Sequence, residues 1–102
     1  MKGRFMENTW RTAQVFLSAQ TAGVFEVEVD TKSKKLRCNC PVWLKKFTCK
    51  HVAFVERRTW LGNGNYSIMV PNDVSEEVAA EATESAEKFR NFVLKHAKIE
   101  VL

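Results

Sequence analysis

The sequence predicts an α+β fold: a small antiparallel sheet, a helix that follows it, and an amphipathic helix at the C-terminal end. Three observations carry this. The stretch "VFEVEVD" (24–30) alternates apolar and acidic residues, so a strand there has one apolar and one acidic face. Near residue 50 the spacing turns helical, with Val52, Val55 and Phe54 on one side. Val78, Ala82, Phe89, Phe92 and Val93 then recur at helical intervals. The chain has 102 residues, enough for one domain of ordinary size, and 45% hydrophobic with 27% charged residues is a globular balance.

The elements follow in chain order. "WRTAQVFLS" (10–18) reads as a strand from its β-branched and aromatic content, and "AQTAG" as a turn broken by Gly23. After the strand of residues 24–30, "TKSK" is a turn and "KLRCNC" the next strand. Period two puts Leu36, Cys38 and Cys40 on one face, and Pro41, which cannot donate to a ladder, ends it. Residues 41–48 read as a spacer loop. A helix is expected from Cys49 or Lys50 to about Arg58, "LGNGN" as a turn, and "YSIMV" as a short strand. Asp73, with Glu76 three residues later, fits a capping box at the start of one long C-terminal helix. That helix runs from acidic (Glu76, Glu77, Glu81, Glu84) to basic (Lys88, Arg90, Lys95, Lys98), which complements its dipole. Glu84 and Lys88 make an i,i+4 pair. The tail "KIEVL" is apolar enough for a short strand or stays mobile.

Composition excludes several classes. No apolar run approaches the roughly 20 residues of a membrane span. The basic start "MKGRFMENTW" has no apolar segment behind it, so no signal peptide is expected. Three cysteines make a poor disulfide framework, and a reducing compartment is expected: cytoplasm, or nucleus in a eukaryote. Charge is uneven. Residues 31–58 carry nine basic groups and one acidic, net +8, whereas the segments before and after are net −1 and −3. A polyanion could use such a concentration.

All three cysteines lie in "CNCPVWLKKFTCKH" (38–51), as two pairs with one residue inside each and eight residues between. A strand aims Cys38 and Cys40 the same way. Cys49 precedes a helix, and His51 lies in its first turn. Helical residues two apart diverge by roughly 200°, so both can face one metal only if Cys49 stands outside the helix. Three thiolates and a neutral imidazole make a closed tetrahedral set suited to Zn2+; iron also accepts thiolate-rich tetrahedra. Plain buried cysteines would not need two matched pairs. Four ligands leave no open position for catalysis, so no enzyme activity and no small-molecule substrate are expected.

"CNCPVWLKKFTCKHV", preceded by "VFEVEVD", resembles the SWIM zinc finger, whose pattern is C-x-C, a variable spacer, then C-x-H. The resemblance covers roughly residues 10–58 and puts Cys38, Cys40, Cys49 and His51 on the four ligand positions. It implies a ββα unit around zinc. Members occur in mutator-type transposases, plant transposase-derived transcription factors, bacterial Swi/Snf-type ATPases, ubiquitin ligases and small recombination accessory proteins, which implies DNA or protein binding. This chain lacks room for the transposase or ATPase domains, so it reads as a stand-alone small protein or an excised module. The division expected is a SWIM-type zinc-binding domain over residues 1–70 and a helical extension over residues 71–102, packed on it or on a partner.

Two functions compete. In the first, Lys32, Lys34, Lys35, Lys45, Lys46, Lys50, Arg57 and Arg58 hold nucleic acid, DNA first, mainly by its phosphates. Trp43 and Phe47 beside Lys45 and Lys46 could stack on bases, but in so small a core they are expected to pack over the metal. In the second, the chain is a protein–protein adaptor or homodimer that docks through the C-terminal helix. His96 has no second ligand candidate nearby and reads as a surface or core residue.

Overall fold

The computed structural model describes residues 9–102. Residues 1–8, which carry the basic start read above, lie outside the described residues. Three strands come first: β1 (Trp10–Leu17), β2 (Val24–Asp30) and β3 (Leu36–Cys38). Four helices follow: α1 (Pro41–Lys46), α2 (Lys50–Leu61), α3 (Glu76–Ala82) and α4 (Ala86–His96). A two-residue strand, β4 (Glu100–Val101), comes last. The sheet order is β3-β2-β1-β4. β1, β2 and β3 pair antiparallel, as the alternation predicts, and β4 adds a parallel partner to β1, so the sheet is mixed.

β2 sorts its side chains as the sequence predicts. Phe25, Val27 and Val29 join Val52 and Val55 of α2 in the main core. Glu26 lies on the opposite face, where it meets Thr12 and Arg90 of α4. α4 packs on β1, and Val93 at its centre is fully buried. The sheet is thus covered by α2 on one face and α4 on the other.

β1 holds a bulge the sequence did not announce. Thr12 pairs with Glu28 and Gln14 with Val27, so Ala13 is the extra residue. In a regular strand residues 13 and 16 point to opposite faces. The bulge puts both Ala13 and Phe16 into the α2-side core. With both faces of the sheet covered, five consecutive residues of β1, Thr12 to Phe16, are buried. One is Gln14, whose amide donates to Lys98 O (2.7 Å) and Val15 O (3.2 Å) and accepts from Tyr66 Oη (2.6 Å).

Four expectations need correction. The long C-terminal helix is two helices. Thr83 closes α3, and Ser85, in extended backbone (φ −154°, ψ 163°), accepts the Lys88 N–H and starts α4. The N-cap of α3 is Ser75, which accepts the Val78 N–H, and not Asp73. Residues 41–46 of the spacer form α1 instead of a loop, because Pro41 sits where a helix's first N–H needs no partner. "YSIMV" forms no strand: β4 occupies the side of β1 open to pairing, and the segment is tied instead by Tyr66 to Gln14 and by the Lys98 N–H to Met69 O (2.8 Å). The Glu84–Lys88 pair does form, at 2.6 Å, with Glu84 just ahead of α4. The tail takes the strand option, as β4. Among the described residues no helix is long and apolar enough to cross a membrane.

Candidate metal centre

Three different elements bring the four ligand residues together. Cys38 ends β3 opposite Val27, and so faces the core. Cys40 is not part of the strand: it is the N-cap of α1, and its Sγ accepts the Trp43 N–H at 3.4 Å. Cys49 is the N-cap of α2, and its Sγ accepts the Val52 N–H at 3.4 Å. That cap places Cys49 outside the helix, as shared coordination with His51 requires. His51 follows in the first turn, its ring held between Phe16 (4.8 Å between centroids) and Phe25 (5.5 Å).

The four donor atoms lie within 4.8 Å of one another, and all four residues are buried. Zinc with Zn–S of ~2.3 Å and Zn–N of ~2.0–2.1 Å sets tetrahedral donors roughly 3.5–3.8 Å apart. Cys38 Sγ and His51 Nδ1 stand 3.7 Å apart, so Nδ1 is the nitrogen turned toward the thiols. His51 is only 3% exposed, and its Nε2 is buried with no hydrogen-bond partner. No hydrogen bond at Nε2 holds this ring; it is placed by the two phenylalanines and by what Nδ1 meets. None of the cysteines forms a disulfide. Three free thiols and an imidazole nitrogen aimed at one buried point fit a zinc ion, which would be held by Cys38, Cys40, Cys49 and His51.

The protonation tendencies differ among the ligands. Burial pushes the Cys38 thiol up to about 12 and raises that of Cys49. At Cys40 burial acts the same way, but the Trp43 N–H and hydrogen bonds from the other two thiols outweigh it, and its pKa is lowered. Burial, with help from Lys50, lowers that of His51, which keeps the imidazole neutral and its lone pair free. Bound Zn2+ would favour the thiolate forms of Cys38, Cys40 and Cys49, and the Trp43 and Val52 N–H groups would then donate to the Cys40 and Cys49 thiolates. With every ligand buried, the set is closed in the manner of structural sites.

The other candidate residues are spread over the same unit. Lys32, Lys34 and Lys35 are exposed on the turn between β2 and β3, and Lys45 and Lys46 on the last turn of α1. α2 separates two grooves: Lys34 and Lys35 help line one of about 1120 Å³, and Lys50, Arg57 and Arg58 line the other, about 450 Å³. Of the two spacer aromatics, Trp43 packs against the core as expected. Phe47 does not: it ends α1 in the left-handed region (φ 56°), and its side chain is 72% exposed. His96 is half-buried against the Phe92 ring, 5.1 Å away. The sequence placed Cys49 at the exposed N–H groups of a helix start, as found, but gave no such place to Cys40, which also caps a helix. The signal was Pro41 directly after Cys40, a residue at home in the first helical position.

Comparison with known proteins finds no match among curated proteins and none among solved structures. The SWIM zinc finger family model matches residues 14–59, a span that holds the second half of β1, β2, β3, both ligand pairs and most of α2. This chain carries a SWIM zinc finger over those residues, with Cys38, Cys40, Cys49 and His51 as its C-x-C…C-x-H set.

Proposed function

We propose that this protein is a non-enzymatic accessory or regulatory factor of a reducing compartment, in which structural zinc holds a basic module that binds nucleic acid, DNA first. The observation that carries the reading is the state of the cations. Among the described residues, Arg37, Lys88, Arg90 and Lys98 each meet a carboxylate. Of the eight basic candidates on the finger only Arg58 does, reaching Glu100 at 3.7 Å. The finger's lysines are therefore free to replace the counterions of a phosphate backbone. The adaptor reading has less behind it, because α4 spends its buried residues on β1.

The test is fluorescence anisotropy of the zinc-loaded protein with labelled DNA, at about 50 and about 200 mM salt. Four phosphate contacts predict about a 100-fold loss of affinity over that range. Lys45→Glu/Lys46→Glu should weaken binding further and flatten the salt slope. Absence of binding, or binding indifferent to salt and charge reversal, would reject the proposal in favour of the adaptor.

A further inference from the structure

The larger of the two grooves has chemistry that phosphate binding alone does not use. It is open, runs between the β2–β3 turn and the C-terminal half of α2, and at about 1120 Å³ exceeds the ~300–1000 Å³ of small-molecule sites. Trp60 lines it and is 79% exposed. Leu61 beside it also lines the groove and is exposed, so the two form a small apolar patch there. Asn63 and Asn65, on the turn after α2, add amide groups that both donate and accept. Lys34 and Lys35 supply positive charge on the opposite side, against a single carboxylate, Glu56.

From this combination we infer that the groove takes a single-stranded nucleic-acid segment, with a base stacked on Trp60, base edges met by Asn63 and Asn65, and phosphates held by Lys34 and Lys35. The inference rests on the nucleic-acid reading above and narrows it. A duplex keeps its base faces inside the stack and offers Trp60 nothing to cover; an unpaired base has a free π-face worth several-fold to a hundredfold in affinity. Amides suit the exposed edges of such a base. An acidic peptide would satisfy the lysines but gives the two amides and the indole no common task.

The experiment uses the whole zinc-loaded protein with a labelled 12-nucleotide oligo-thymidine and a duplex of equal length. Trp60→Ala should lower the ratio of single-strand to duplex affinity about tenfold, and Trp60→Phe should restore most of it. Oligo-thymidine should also quench tryptophan emission in the parent protein and not in Trp60→Ala. Since the side chain is so exposed, the variant should keep the parent's circular dichroism. Salt-sensitive binding of both probes with an unchanged ratio in Trp60→Ala would overturn the groove assignment and leave the phosphate reading standing. Failure of both probes to bind would remove both proposals. An acidic peptide that binds more tightly than oligo-thymidine, and depends on Trp60, would overturn the single-strand assignment.

Discussion

Cys40 and Cys49 each do two jobs with one atom. Each sulfur faces the ligand cluster and also accepts the N–H that a helix's first turn leaves unpaired. Replacing either by alanine therefore removes a ligand and uncaps a helix, whereas serine removes the ligand and keeps a cap. Because structural zinc is worth roughly 10–16 kcal/mol in finger peptides, Cys40→Ser or chelation should release the metal and unfold residues 38–58. Zinc content and far-ultraviolet circular dichroism check this; native dichroism after verified metal removal would contradict it. Elsewhere, Tyr66 tests the polar core. Burial, only partly offset by Arg58, raises its pKa above the ordinary 10.0, so the unfolded chain ionises first as the pH climbs. Its contribution is fully present below pH 10 and is lost as pH rises through the higher folded-state value. Tyr66→Phe should cost about 1 kcal/mol at neutral pH through the lost bond to Gln14, and should lack this part of the alkaline fall. Denaturant melts of both proteins across the alkaline range measure the difference. The ligand set was legible in the sequence because it is sparse: every thiol sits in one short run. The double use of the Cys40 sulfur was not, since sulfur is a weak acceptor and the usual caps are Ser, Thr, Asp and Asn.

Among the elements, β2 was the easiest to read, since each of its faces has one kind of neighbour. β1 was recognised as a strand, but no residue in "TAQVF" marks Ala13 as the extra one; the bulge follows from what packs on both sides. The C-terminal stretch misled for a related reason. Its apolar spacing continues through Thr83 and Ser85, residues that helices tolerate but that also offer their side chains to the backbone as stops and starts. Here Ser85 Oγ takes the Lys88 N–H at 3.1 Å, and α4 begins there. Ser85→Ala should lower stability by about 1 kcal/mol, read from thermal or denaturant melts, because α4 is fixed to β1 and its fraying exposes core. Ser75→Ala, at the head of a seven-residue helix with one buried residue, should cost less.

Across the whole molecule, charge is divided between two tasks. Lys88 and Arg90 of α4 meet Glu84 and Glu26, while the lysines of the finger face water and only its Arg37 and Arg58 pair with carboxylates among the described residues. Exposed ion pairs contribute little, so raising salt from about 50 to about 500 mM should move the melting temperature by only a few degrees, whereas the proposed binding of nucleic acid should weaken by orders of magnitude. A melting temperature that tracks affinity would mean that the pairs hold the fold. The sequence showed where the charge lies. It did not show that Lys34 and Lys35 would line one groove and Lys50, Arg57 and Arg58 another, because that depends on how α2 lies against the β2–β3 turn. The pairing of β4 with β1 has a consequence of a different kind. The Leu102 N–H donates to Leu17 O, the Ala19 N–H donates to Leu102 O, and the Leu102 side chain packs against the core. The last few residues thus shield a row of backbone groups on an early strand that would otherwise offer a template to other copies. Deleting residues 99–102 should leave the zinc content intact yet increase self-association with concentration relative to the parent, a change that light scattering would register; on that outcome the short tail is a guard against aggregation.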